Sequence, residues 1–261
     1  MFKKLLIGVC LFVSNLMSVE SKVFTLGGNN FVSLVGPVSS SSVDDLIKSF
    51  NNKNILEHIS EERKITLYIN SPGGSVFAGN HLVQYIKTLQ LQNISIDCVG
   101  QNFMSMGFVI MQACTRRYAM FDSIGMQHQM SLGMKGNIEN FKNHFSLIER
   151  VNNMLIDMEI KKIGISRSEY LENIISDWWS YGIENVENNI VDELVNVRCT
   201  PSVMIERIKK KDSLFGFEFE IDMSKCPILN DVKLSERNMS KYYDFDNYSI
   251  NIKQILNEFK F

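Results

Sequence analysis

The sequence predicts an α/β fold built on a largely parallel sheet, and three observations carry that reading. β-prone runs alternate with helical ones from about residue 31 onward. One of them, Lys64–Asn70, ends in Ser71-Pro72-Gly73-Gly74 and passes straight into the helically spaced Val76–Leu89. A long segment, about 135–161, repeats apolar residues every three or four positions, at Ile138, Phe141, Phe145, Ile148, Val151, Leu155 and Met158.

The elements follow in order. Phe31–Gly36 reads as the first strand, and Ser39 to Ser42 offer N-caps for a helix through Phe50. Lys64–Asn70 is the second strand and Ile94–Val99, apolar and β-prone, the third. Met104–Cys114 is an apolar helix, and Arg117–Met120 and Ile124–His128 read as two short strands before the long helix. From about residue 199 the character changes. Alternation at Phe217–Ile221, a basic run and clustered Asn, Asp and Tyr suggest an appended strand and helix.

Composition bounds the function. Of the 261 residues 45% are hydrophobic and 21% charged, which excludes a disordered or fibrous chain. A formal net charge of -2 argues against general nucleic-acid binding, and Lys209–Lys211 is too short a run to alter that. Lys3-Lys4, the apolar run Leu5–Val13 and a polar stretch to Ser21 have the order of a secretory signal peptide, assigned to residues 1–21. The apolar run is shorter than the roughly 20 residues a bilayer span needs. The location expected is therefore the secretory pathway, an organelle lumen or another extracytoplasmic space, and cytoplasmic if the leader is not a signal. Cys10 falls in the leader. Cys98 and Cys114 lie in apolar runs and read as small core residues, while Cys199 and Cys226 leave a disulfide open. No cysteine has a CxxC partner or a histidine at metal-ligand spacing, so no metal is expected.

Adjacent glycines after a proline at a strand end leave backbone N–H groups uncovered by side chains. Acyl transfer needs such amides to hold an oxyanion. Ser105, between a β-prone run and an apolar helix, sits where unpaired N–H groups and the helix dipole favour negative charge. The sequence therefore offers Ser105 as nucleophile, His128 at a strand end as base, and Asp177 in "ISDWWSYG" as the carboxylate that orients the ring. Gly74 and Met106 supply the candidate oxyanion-hole amides. Each feature is ordinary alone: a turn, a helix-starting serine, a histidine after a strand, a helix cap.

Together, these residues resemble the Clp-type serine peptidases of the crotonase-like fold. The matching stretches are "LYINSPGGSVFAG" (67–79), Gly100-Gln101 with Ser105-Met106-Gly107, His128-Gln129, and Asp177 with Ile190-Val191-Asp192. The resemblance covers about residues 30–197, and the spacing from His128 to Asp177 fits the family without a gap. Carried over by motif, Ser105, His128 and Asp177 form the triad. The chain departs from the family in places. One extra residue precedes Ser105, the turn around Thr115–Arg117 is shorter, Met130 stands where proline is usual, and Asn189 replaces a glycine.

The resemblance implies a repeated ββα superhelix with a long handle helix over residues 22–198 and a C-terminal extension, 199–261, of unknown role. It implies a serine endopeptidase acting on peptides or unfolded proteins without metal or organic cofactor. It also implies a homo-oligomer of two stacked heptameric rings. The family's partner is a separate AAA+ unfoldase; this chain has no GxxxxGK[ST] motif, and a secreted location offers no ATP. Two alternatives stand beside this reading: a catalytically inactive ring subunit or scaffold, and a crotonase-type acyl-CoA enzyme, which normally lacks the Ser-His-Asp set.

Overall fold

The computed structural model describes residues 22–133, 136–214, 217–229 and 232–235. The leader read as a signal peptide, residues 1–21, lies outside them, as do residues 236–261 of the extension.

The main sheet has seven strands, and its backbone order is β1 (Val23–Leu26), β7 (Glu193–Cys199), β5 (Arg116–Gln127), β4 (Ser95–Met104), β3 (Lys64–Ser71), β2 (Phe31–Val35). All neighbours along that path run parallel. A seventh strand, β6 (Trp178–Tyr181), pairs antiparallel with β5. The mixed α/β, mostly parallel architecture expected from the alternation is therefore present. The inner strands read as apolar runs because both faces are covered: Ile65, Leu67, Tyr68 and Ile69 of β3 are all buried.

Helices connect the strands. Ser39 caps α1 (Ser40–Phe50) through a capping box with Ser42, as the serine cluster suggested. A second helix, α2 (Lys53–Glu62), follows it. Ser75 caps α3 (Val76–Leu91), and every residue of α4 (Met106–Ala113) is buried, which explains a sequence apolar but for Gln112, whose amide is hydrogen-bonded to Ile190 and Arg117. The long helix, α5, spans Ile138–Ile163 and ends at Gly164 with φ 86. Leu155, Ile156 and Ile163 bury against the domain, whereas Phe141 and Phe145 stack on each other in solvent.

Four expectations need correction. Arg117–Met120 and Ile124–Gln127 belong to one strand, β5, with His128 just past its end; its register against β4 jumps between Ala119 and Ile124, so the four residues Met120–Ser123 bulge rather than break it. The apolar helix starts at Met106, because Met104 still pairs in β4 with Met126. Cys98 and Cys114 are core residues, but they are also joined by a disulfide, since β4 and the end of α4 bring their Cα atoms to 5.9 Å. The extension is a short helix, α8 (Pro201–Ile205), and a three-stranded antiparallel sheet of β8 (Arg207–Leu214), β9 (Phe217–Ser224) and β10 (Val232–Ser235). A disulfide between Cys199 and Cys226, the pairing left open above, ties this sheet to the end of β7.

The departures noted in the sequence have local solutions. A bulge takes up one residue at Gln101: Ile69 pairs with Gly100 but Asn70 with Asn102. This lies in the stretch that carries one residue more than the family spacing. Gln101 accepts hydrogen bonds there from Tyr68 at 2.7 Å and Asn70 at 3.3 Å. Asn189 adopts φ 54, the left-handed conformation for which it is the best substitute after glycine. Beside it, buried Arg117 ties the turn to β5, donating from its backbone N–H and its Nε to Asp192 at 2.7 and 3.1 Å.

Candidate active site

Three adjacent parallel strands end at the site, where loops leave the sheet and ligands meet α/β proteins. β3 delivers the Gly73-Gly74 turn, β4 delivers Ser105 and β5 delivers His128. Ser105 sits between the last residue of β4 and the first of α4 at φ 51 and ψ -117. A non-glycine residue in that region is strained, and such strain is held where surrounding structure over-determines it. Here its N–H donates to Met126 O at 2.7 Å, and buried α4 fixes the other side. The result is a sharp strand-to-helix turn that lifts the hydroxyl out of the sheet.

His128 follows the last residue of β5, and its Nε2 lies 2.8 Å from Ser105 Oγ. The two residues are 23 positions apart and meet because β4 and β5 are hydrogen-bonded neighbours in parallel register.

The glycine turn abuts the same serine. A Cβ on Gly73, at φ 92, would meet Ser105 Cβ at 2.6 Å and Met106 N at 2.8 Å, so no side chain fits there. Gly74, at φ 146, forms a bridge with Val38. Met106 is the first residue of α4, so its N–H has no partner within the helix. Among the described residues neither the Gly74 nor the Met106 N–H has a protein acceptor. Gly74, Met106, Ser105 and His128 line one cavity of about 90 Å³, closed on its far side by α5. A larger open hollow of about 830 Å³ near the ends of α3 and α4 contains none of these residues.

Asp177 is placed differently. β5 and β6 pair antiparallel up to Gln127 opposite Trp178, so the next facing positions are His128 and Asp177. The backbone thus brings the carboxylate residue to the histidine, but the side chain is exposed. Among the described residues no hydrogen bond joins it to His128. Asp177 has φ 52 after a single 3-10 turn, Ile174–Ser176, and its neighbours Ile175, Trp179, Tyr181 and Ile183 are all more than half exposed. The other histidines, His58, His81 and His144, lie on α2, α3 and α5, as their helical spacing suggested.

Sequence reasoning missed a polar group beneath the pair. Glu159 of α5 is 1% exposed and accepts from Gln127 Nε2 at 2.6 Å. The Tyr170 hydroxyl, from α6 (Arg167–Asn173), is a further hydrogen-bond partner of the carboxyl. Burial pushes the Glu159 carboxyl up to about 8, against the opposing effect of those two hydrogen bonds. A signal for it existed: Glu159 occupies a stripe position with Leu155, Ile156 and Ile163, where an apolar side chain is expected. Among the described residues no group of three or more His, Cys, Asp or Glu is arranged to hold a metal.

One end of the parallel sheet thus gathers a strained strand-to-helix serine, a histidine at hydrogen-bond distance and two backbone amides without protein acceptors. The family model of the Clp protease family matches residues 19–198, more than half of the chain, and the protein belongs to that family. Among curated proteins it is similar to an ATP-dependent Clp protease proteolytic subunit from Deinococcus radiodurans. The identity is 26% over 162 residues, covering 61% of this chain and 77% of that one.

Proposed function

We propose that this chain is a serine endopeptidase of the Clp type. The observation that carries the proposal is the 2.8 Å approach of His128 Nε2 to Ser105 Oγ at a strained turn. Ser105 Oγ attacks the peptide carbonyl while His128 takes its proton. The N–H groups of Gly74 and Met106 hold the oxyanion, and His128 then protonates the leaving amine. Water hydrolyses the acyl-enzyme with His128 again as base. No step needs a metal or an organic cofactor.

Asp177 is the orienting acid, and its contact with His128 forms on assembly. The exposed apolar side chains flanking it, together with Phe141, Phe145, Leu147 and Met154 on α5, form surfaces that suit other subunits. α5 acts as the handle that joins two stacked rings of seven subunits each. The domain spans residues 22–198, with 199–261 a C-terminal extension. Two disulfides support an oxidising compartment, consistent with a cleaved leader over residues 1–21. In such a compartment peptides or already unfolded proteins are the substrates, without an ATP-driven partner.

A serine-reactive fluorophosphonate probe tests the proposal. It should label Ser105 in the full chain and leave Ser105→Ala unlabelled. Labelling of neither, in a folded sample that also hydrolyses no fluorogenic peptide, would leave only an inactive ring subunit.

A further inference from the structure

We propose that Glu159 is a positioning residue for His128, acting through the side chain of Gln127, and that its ionisation alters this hold. The inference rests on the reading of His128 as the base. Its evidence is a continuous chain of contacts across three elements. Gln127 uses both ends of its amide: Nε2 donates to Glu159 Oε1 at 2.6 Å, and Oε1 accepts from the His128 backbone N–H at 3.1 Å. Tyr170 holds the carboxyl from α6. At the other end, His128 Nε2 meets Ser105. With Asp177 exposed, this relay of side chains carries the grip on the end of β5 one residue past its pairing with β4 and β6, to His128.

The chain suits a neutral carboxyl. From β5 the carboxyl faces Gln127 and His128, and from α6 it faces Tyr170. α4 and the 3-10 turn present apolar side chains, Met106, Val109 and Ile174. Among the described residues no lysine or arginine lines the cavity, so nothing nearby except His128 itself can pair with an anion. The protonated acid accepts from Gln127 without burying a net charge. Ionisation leaves an anion with no cationic partner in the cavity; it pulls harder on the Gln127 amide and attracts the His128 ring that shares the cavity, and so disturbs the alignment with Ser105. Burial places that ionisation at about 8.

Two variants of the full chain separate positioning from bulk packing. Glu159→Gln keeps the size and hydrogen bonding of the protonated acid but cannot ionise, and Glu159→Leu removes the hydrogen bonds. The chain has 4 histidines, so NMR of the His128 ring can be assigned with His128→Ala. In a titration between roughly pH 6 and 10, the wild-type His128 signal should show an added inflection near about 8 that Glu159→Gln lacks. Wild-type kcat/KM for a fluorogenic peptide should fall about tenfold across that inflection, and not in Glu159→Gln. At neutral pH Glu159→Leu should lose about tenfold in kcat, with KM within roughly twofold. The same inflection in Glu159→Gln, or none in wild type, overturns the proposal. The NMR arm needs no turnover, so failure of the peptidase reading alone would show as an inflection without peptide cleavage.

Discussion

Two ends of one candidate triad are built by different means. Ser105 and His128 hang from adjacent, buried, parallel strands, and their 2.8 Å contact needs nothing beyond the chain's own core. Asp177 follows a single 3-10 turn, is exposed, and is flanked by apolar side chains without cover. A rigid sheet fixes Ser105 and His128, while a short surface segment presents Asp177. The difference teaches that the Ser105–His128 contact is a property of the fold, whereas bringing the Asp177 side chain to it depends on what covers that segment.

That comparison can be broken at several points. Ser105→Ala should remove the largest effect, lowering peptide cleavage about a thousandfold or more, as measured by initial rates on a fluorogenic peptide. Undiminished turnover would end the nucleophile assignment. Asp177→Asn should cost about a hundredfold in kcat if assembly completes the triad. A loss below about threefold would mean that His128 works without it, held from the β5 side alone.

Assembly comes next. Leu147→Glu with Met154→Glu places charge on exposed apolar positions of α5. Light scattering should show the mass fall from a multiple of the chain toward a single copy, with activity down about tenfold or more as Asp177 loses its cover. A full-activity monomer would show that both ends of the triad form within one chain.

The smallest expected effect is on stability. The Glu159 carboxyl titrates at about 8 in the folded chain against an ordinary value of 4.5. Between those values the native state keeps a proton that the unfolded chain has released. Its stabilising share is therefore complete below the ordinary value, declines as pH rises, and is lost through the folded one. Urea unfolding should show wild type losing up to a few kcal/mol across that window relative to Glu159→Gln. Parallel pH profiles for the two proteins would place the carboxyl in contact with solvent.

Much of this was legible in the chain. The serine cluster at Ser39 marked a helix start, and Ser-Pro-Gly-Gly marked a strand end, because both depend on local backbone chemistry. β1, four residues long, was missed, since so short a run has no periodicity to detect and exists by pairing with β7. β6, equally short, exists by pairing with β5. Likewise, the break read between Met120 and Ile124 was a bulge, because a strand's continuity is decided by its partners.

By itself, then, the sequence determined the α/β class, the order of the helices and strands around the site, and the residue types at the glycine turn, Ser105 and His128. These follow from local propensity and spacing, which act over a few residues. Tertiary structure alone decided that a bulge takes up one residue at Gln101, that Ser105 meets His128 and that Cys98 pairs with Cys114. It alone left Asp177 exposed and sealed Glu159 beside Gln127 at the foot of the cavity that holds His128. Each of these depends on which distant segments share a register or a dry interior, and burial and strand pairing are properties of the packed chain, not of any stretch of it.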